Sequence, residues 1–222
     1  MKKIEIKNIH DTLKNDIYDD LMLNIGYGLK GRVEITDVHN NRILEKSNLV
    51  LYKGREWLAQ RAANFLSPVE QDHNRTNHYI NYFTVGIGGA TPGDILTPLS
   101  PEKTDEDLNT PVLLNTNDST YITKTRDNDA LTYQLKTITS KTFKNDLLNQ
   151  NRYLIVQFQT MLLNSDANGP NGNSFFDINE AGLYIGDESG TPGSVSIFAR
   201  CTFSTIRKDN SRGLVFNWYI YF

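Results

Sequence analysis

The chain has 222 residues, of which 38% are hydrophobic and 22% charged, with a formal net charge of −3. That length is ample for a buried core, and the slightly acidic balance gives no reason to expect a general nucleic-acid binder, which usually shows a basic stripe. A single cysteine, Cys201, excludes an internal disulfide and fits synthesis in a reducing cytoplasm, and no apolar run approaches the roughly 20 residues that span a bilayer.

Residues 1–9 alternate weakly through Ile4, Ile6 and Ile9, and the basic start is not followed by the apolar stretch of a signal peptide. Residues 11–23 place Leu13, Ile17 and Leu21 four apart with Asp11 as N-cap, which predicts a short helix. The glycines at 26, 28 and 31 break it, so residues 1–30 read as an arm with a short helix, packed on its own domain or on a neighbouring subunit. From residue 31 onward the pattern changes to period two. Residues 31–52 read as a β-hairpin turning at His39-Asn40-Asn41. Residues 54–66 form the clearest helix, with Leu58, Ala62, Phe65 and Leu66 on one face and Pro68 ending it.

Residues 79–87 predict a strand, and residues 88–117, holding Pro92, Pro98, Pro101 and Pro111, predict a long loop of the kind partners often order. Alternation returns at 131–142 and strongly at 152–163, where Leu154, Val156, Phe158 and Leu162 share a face. A polar loop at 164–173 and a strand at 175–185 follow. The last two strands, 197–206 and 214–222, flank the polar turn Arg207-Lys208-Asp209-Asn210-Ser211-Arg212-Gly213, so they read most simply as an antiparallel hairpin. In the final strand Leu214, Phe216, Trp218, Ile220 and Phe222 fall on one face and Val215, Asn217, Tyr219 and Tyr221 on the other, a period no helix uses. About seven strands and one inserted helix, without a βαβ rhythm, predict a mainly β chain: an antiparallel β-sandwich over 31–222.

Chemistry is sparse. Gly86-Ile87-Gly88-Gly89 follows a strand, but the third glycine of a dinucleotide loop would fall at Thr91 and no helix start follows, so it reads as a glycine-rich strand exit. Asn164-Ser165-Asp166-Ala167-Asn168-Gly169 begins like a calcium loop, yet its twelfth position is Phe175 where the motif needs a bidentate Glu. The four histidines, His10, His39, His73 and His78, fit no standard metal spacing, and Cys201 sits mid-strand as a buried thiol. Glu180 and Arg200 are charges inside apolar strands, and a structural pair between them is expected, with Arg55 and Glu56 as weaker members of the same network. No catalytic residue, metal or cofactor is expected.

Four segments recur in a telling order: Asn48-Leu49-Val50 with Gly54-Arg55, Val85-Gly86-Ile87-Gly88, Glu180-Ala181-Gly182-Leu183, and Phe198-Ala199-Arg200 with the closing Trp218-Tyr219-Ile220-Tyr221-Phe222. Together they resemble a group of structural proteins of tailed bacteriophage particles, over residues 31–222. The resemblance implies a non-enzymatic β-sandwich virion subunit of the neck, collar, tail or baseplate, or a fibre adaptor. It implies other virion proteins as partners, a homo-oligomer or multiple copies in the particle, and neither membrane nor direct nucleic-acid contact. Such a protein is assembled in the host bacterial cytoplasm and resides in the virion. Trp218, Tyr219, Tyr221 and Phe222 are the expected assembly contacts, aromatic residues being favoured at interfaces. The alternative is a carbohydrate-binding module of a host-recognition fibre, which needs an exposed aromatic face such as Tyr219 and Tyr221 beside Tyr133.

Overall fold

A computed structural model of the chain describes residues 29–63, 78–126, 128–145, 154–169, 175–187 and 195–221. The arm and helix expected before residue 29, His10, His73, Phe222 and residues 64–66 of the helix expected over 54–66 lie outside them. Twelve strands are described: β1 (Lys30–Asp37), β2 (Arg42–Val50), β3 (Tyr79–Gly86), β4 (Ala90–Thr91), β5 (Asp94–Pro98), β6 (Ile122–Thr125), β7 (Thr132–Thr137), β8 (Ser140–Asn145), β9 (Leu154–Leu162), β10 (Phe176–Gly186), β11 (Ser196–Lys208) and β12 (Leu214–Tyr221). A single helix, α1 (Tyr52–Ala63), accompanies them among the described residues. The fold is mainly β and antiparallel.

Ten strands form one sheet in the order β6-β7-β3-β10-β11-β2-β1-β12-β9-β8. The sheet curls until its halves face each other. Phe83 of β3 meets Phe216 of β12 at a ring-centroid distance of 4.8 Å, although four strands separate them in the order. Two strands turn the corners. The first part of β2 pairs with β1, while Leu49 and Val50 at its end pair with Arg200 and Ala199 of β11. On the opposite side the Ile138 amide donates to the Asn81 carbonyl of β3 (2.8 Å), and the Thr139 amide to the Gln159 carbonyl of β9 (2.8 Å). Residues 131–142, expected as one alternating stretch, are thus two strands bent at 138–139, each serving a different half.

The closing strands are not a hairpin. β11 lies between β10 and β2, and β12 between β1 and β9, so the 207–213 turn carries the chain from one layer to the other. The period-two face of β12 explains this. Leu214, Phe216, Trp218 and Ile220 are all buried, and an apolar face that large is removed from water by a facing layer, not by a neighbour alongside. Phe203 of β11 faces Phe216 with centroids 6.5 Å apart. Trp218 is 1% exposed and belongs to the core, which corrects its expected role as an assembly contact. Its neighbours on the other face, Tyr219 and Tyr221, are half-buried.

Strict alternation also fails in β11. Its register against β10 shifts between Ile178 and Glu180 and between Leu183 and Tyr184. A bulge re-aims the side chains beyond it. Ile197 packs in a separate apolar cluster while Ala199, Cys201 and Phe203 lie in the main core with Phe198, which meets Trp57 of α1 edge-on at 6.1 Å. The helix sits close because residue 54 is glycine: an added Cβ would lie 2.4 Å from the Phe198 carbonyl oxygen.

The 88–117 segment is not one loop. It forms the β4–β5 ribbon and then straps the outer face of β3, β7 and β10. Leu108 is fully buried there in a second apolar cluster with Tyr133, Leu135, Tyr184 and Ile197. β10 is consequently buried from Ile178 to Gly186 on both faces. β6 (Ile122–Thr125) was not anticipated, being four residues with only one apolar side chain.

Candidate functional site: a carboxylate knot and its cleft

Glu180 and Arg200 meet on the outer face of the β10–β11 pair. In the register Gly182 opposes Arg200 and Glu180 opposes Thr202, so the two charges are diagonal neighbours, with a residue lacking a side chain opposite the arginine. Arg200 Nη2 donates to Glu180 Oε2 at 2.7 Å, and the two side chains are 3% and 0% exposed. Arg200 Nη1 donates to Asp105 Oδ2 at 2.6 Å. The other bonds to Glu180 come from the strap. Oε1 accepts from the backbone amides of Thr110 (2.8 Å) and Gly88 (3.1 Å), and Oε2 from the amide of Asn109 (3.0 Å). A carboxylate offers about four lone-pair sites, and here four donors use them. That arrangement fixes the carboxylate in place.

The glycines of Gly86-Ile87-Gly88-Gly89 are explained by the same contacts. A Cβ on Gly86 would lie 2.5 Å from Glu180 Oε1, and one on Gly89 would lie 2.3 Å from the Asn179 carbonyl oxygen. Gly89 also donates its amide to Asn179 Oδ1 at 2.6 Å. The motif therefore permits close approach of two backbones around a buried carboxylate, not phosphate binding. Gly89→Ala forces backbone against backbone and is expected to destabilise the fold by about 1–3 kcal/mol, read as a lowered melting temperature.

Beside the knot lies an open polar cleft of ≈ 430 Å³, bordered by Lys53, Asp105, Asp107, Lys124 and Arg126 among others. Asp107 is its centre. It accepts hydroxyl protons from Tyr133 (2.6 Å) and Tyr184 (2.5 Å), and Lys124 stands 3.8 Å away. Burial, then the Asp107 charge, pushes both phenols well above the ordinary tyrosine range, so they remain donors. Arg126 ties the strap from the far side, donating to the carbonyls of Leu108 (2.6 Å) and Asn109 (3.1 Å).

The sequence reading did not find Asp105, Asp107, Lys124 or Arg126. They lie on loops or the short β6, where no period marks a facing side chain. The acid-rich run from Glu102 to Asp107, set among prolines, is the one available signal.

The remaining candidates are structural. Arg55 donates to the Val50 carbonyl at 3.0 Å. Asp166 of the calcium-like loop is fully buried and bound by Lys136 Nζ (2.7 Å), the Tyr121 hydroxyl (2.9 Å) and the Leu163 amide (2.8 Å). Cys201 is buried. Among the described residues no group of three or more His, Cys, Asp or Glu is placed to hold a metal, and no helix is long and apolar enough to cross a membrane. The aromatic platform of the carbohydrate reading is not assembled: Tyr133 is buried in β7, whereas Tyr219 lies on β12 beneath the Arg32 guanidinium, 4.7 Å from its ring centroid.

No protein-family model matches the chain, and comparison with curated proteins and with solved structures returns no match.

Proposed function

We propose that this chain is a structural subunit that works by docking to other protein surfaces rather than by catalysis, as a multi-copy component of a tailed bacteriophage particle. The observation that carries the docking reading is the β4–β5 ribbon. It exposes 56% and 69% of the surface of Ile95 and Leu96, while its backbone is held along β11, the Thr205 hydroxyl donating to the Ile95 carbonyl and the Thr202 hydroxyl to the Leu99 carbonyl. Exposed aliphatic side chains on an element held in place are the kind of apolar surface that marks protein contacts. The strap, the knot and the cleft hold that ribbon in one orientation, and a pre-organised element loses little entropy on docking.

The phage setting rests on the order of the four motifs. They converge in space: Leu49 opposes Arg200, Gly86 opposes Glu180, and Gly54 packs against Phe198. They thus describe one structural knot that a family sharing the motifs would share as a unit. A position in the neck, collar, tail or baseplate, with other virion proteins as partners and assembly in the bacterial cytoplasm, follows from that resemblance.

The test is sedimentation and light scattering of the purified chain across a concentration series, beside an Ile95→Asp/Leu96→Asp double variant. A discrete oligomer that the double variant dissociates, with its melting temperature unchanged, is the expected result. A chain that stays monomeric throughout, or an oligomer indifferent to the double variant, removes the ribbon as the docking element.

A further inference from the structure

Lys208, the last residue of β11, is fully buried, and its ammonium has a cage of neutral oxygens. Its Nζ donates to Asn168 Oδ1 (2.8 Å) and to the carbonyls of Asp209 (2.7 Å) and Asn164 (3.4 Å). Two of these acceptors belong to the 163–169 loop. The nearby charges are engaged elsewhere. Asp166 is held by Lys136, Tyr121 and the Leu163 amide. Asp209 turns its carboxylate to the amide (2.9 Å) and hydroxyl (2.5 Å) of Ser211. Arg212 faces the Arg207 carbonyl, at 2.6 Å from Nη2. Lys136 adds a second positive charge to the same end of the sandwich. A buried ammonium with only neutral acceptors in contact costs several kcal/mol in desolvation, and the simplest relief is to reach water or to lose its proton.

We infer that Lys208 makes the 163–169 loop a pH-sensitive latch: loss of the buried ammonium's proton tightens the loop against the end of β11, and regaining it loosens the loop. The direction follows from linkage. Burial, its largest cause, lowers the seated amine to about 8 from the usual 10.5, with Asp166 and Asp209 partly opposing and Arg212 and Lys136 adding to the shift. An opened loop returns the amine to water and to an ordinary lysine's affinity for protons. Between the two values the open state holds a proton that the seated state does not, so opening becomes rarer as pH rises and commoner as it falls. Such a device loosens one end of the sandwich in neutral solution relative to alkaline solution.

The loop contains its own reporters. The Asp166 amide donates to the Leu163 carbonyl (3.0 Å) and the Ala167 amide to the Leu114 carbonyl (2.6 Å). Native-state hydrogen exchange at these two amides, divided by the intrinsic exchange rate at each pH, gives the opening equilibrium directly. Opening is expected to fall roughly tenfold or more between pH 7 and pH 9.5 in the natural chain, and to be flat with pH in Lys208→Met. A natural chain whose protection does not change with pH, or a Lys208→Met chain with the same slope, overturns the latch. If Lys208→Met does not fold, carbon-13 titration of the lysine Cε groups decides it: a Lys208 resonance moving near pH 8 supports the latch, and one moving with the exposed lysines overturns it.

Discussion

Replacing Glu180 by Gln is expected to lower the unfolding free energy by about 3–5 kcal/mol, the cost typical of removing one partner from a buried ion pair. Arg200 remains 3% exposed with Asp105 as its remaining carboxylate, and Asp105 itself is 20% exposed. The amide nitrogen that replaces one carboxylate oxygen must face a donor, because every contact to Glu180 is one: two strap amides on one oxygen, a third amide and the guanidinium on the other. The loss should appear as a lower urea midpoint with the slope unchanged. Adding Arg200→Met should then cost less than it does in the natural chain, with an interaction energy of about 1–3 kcal/mol between the two sites. A loss below about 1 kcal/mol for Glu180→Gln, the range of an exposed pair, would mean that the knot does not hold the strap to the sheet.

The knot also shows what the sequence could and could not reveal. That Glu180 and Arg200 must find partners was legible, since each is a charge on an apolar strand. The identity of three of the four groups around Glu180 was not legible, because they are backbone amides of Gly88, Asn109 and Thr110, and any residue but proline carries one. The glycines of the 86–89 run were visible as an anomaly in a strand. Their reason, a carboxylate brought over from 92 residues further along the chain, is a tertiary fact.

Periodicity performed well where one face meets the core and the other is at least partly open. β1, β9 and β12 follow their patterns, and the turn at 38–41 forms with Asn40 at φ 64°, Asp37 accepting from the amides of His39 (2.8 Å) and Asn41 (2.9 Å). Period two does not specify which strand lies alongside. β11 and β12 are adjacent in sequence and joined by a hairpin-like turn, yet each lies between other strands, because the Phe203 and Phe216 faces are better buried against each other. Corners were equally invisible. Nothing in the composition of β2 or of the 132–145 segment marks the bend, and the pairing and hydrogen bonds of Leu49, Ile138 and Thr139 show that the chain changes layer.

Trp218 separates the two readings of the aromatic C-terminal strand. In the structure it is 1% exposed within the core cluster that also holds Val33, Phe158 and Phe216. Trp218→Ala should therefore cost about 3–5 kcal/mol, as large-to-small changes at a buried tryptophan do. Oligomerisation should fail only insofar as the subunit unfolds. Tyr221→Ala, half-buried on the opposite face, should stay within about 1 kcal/mol of the natural chain. Measuring urea midpoints and sedimentation on the same samples distinguishes a core residue from a contact. A Trp218→Ala chain that keeps its midpoint but loses self-association would return the residue to the surface and make the C-terminal strand an interface. A chain with a lowered midpoint whose remaining folded protein still associates would confirm Trp218 as a core residue and direct the search for contacts to the Ile95–Leu96 ribbon on β11.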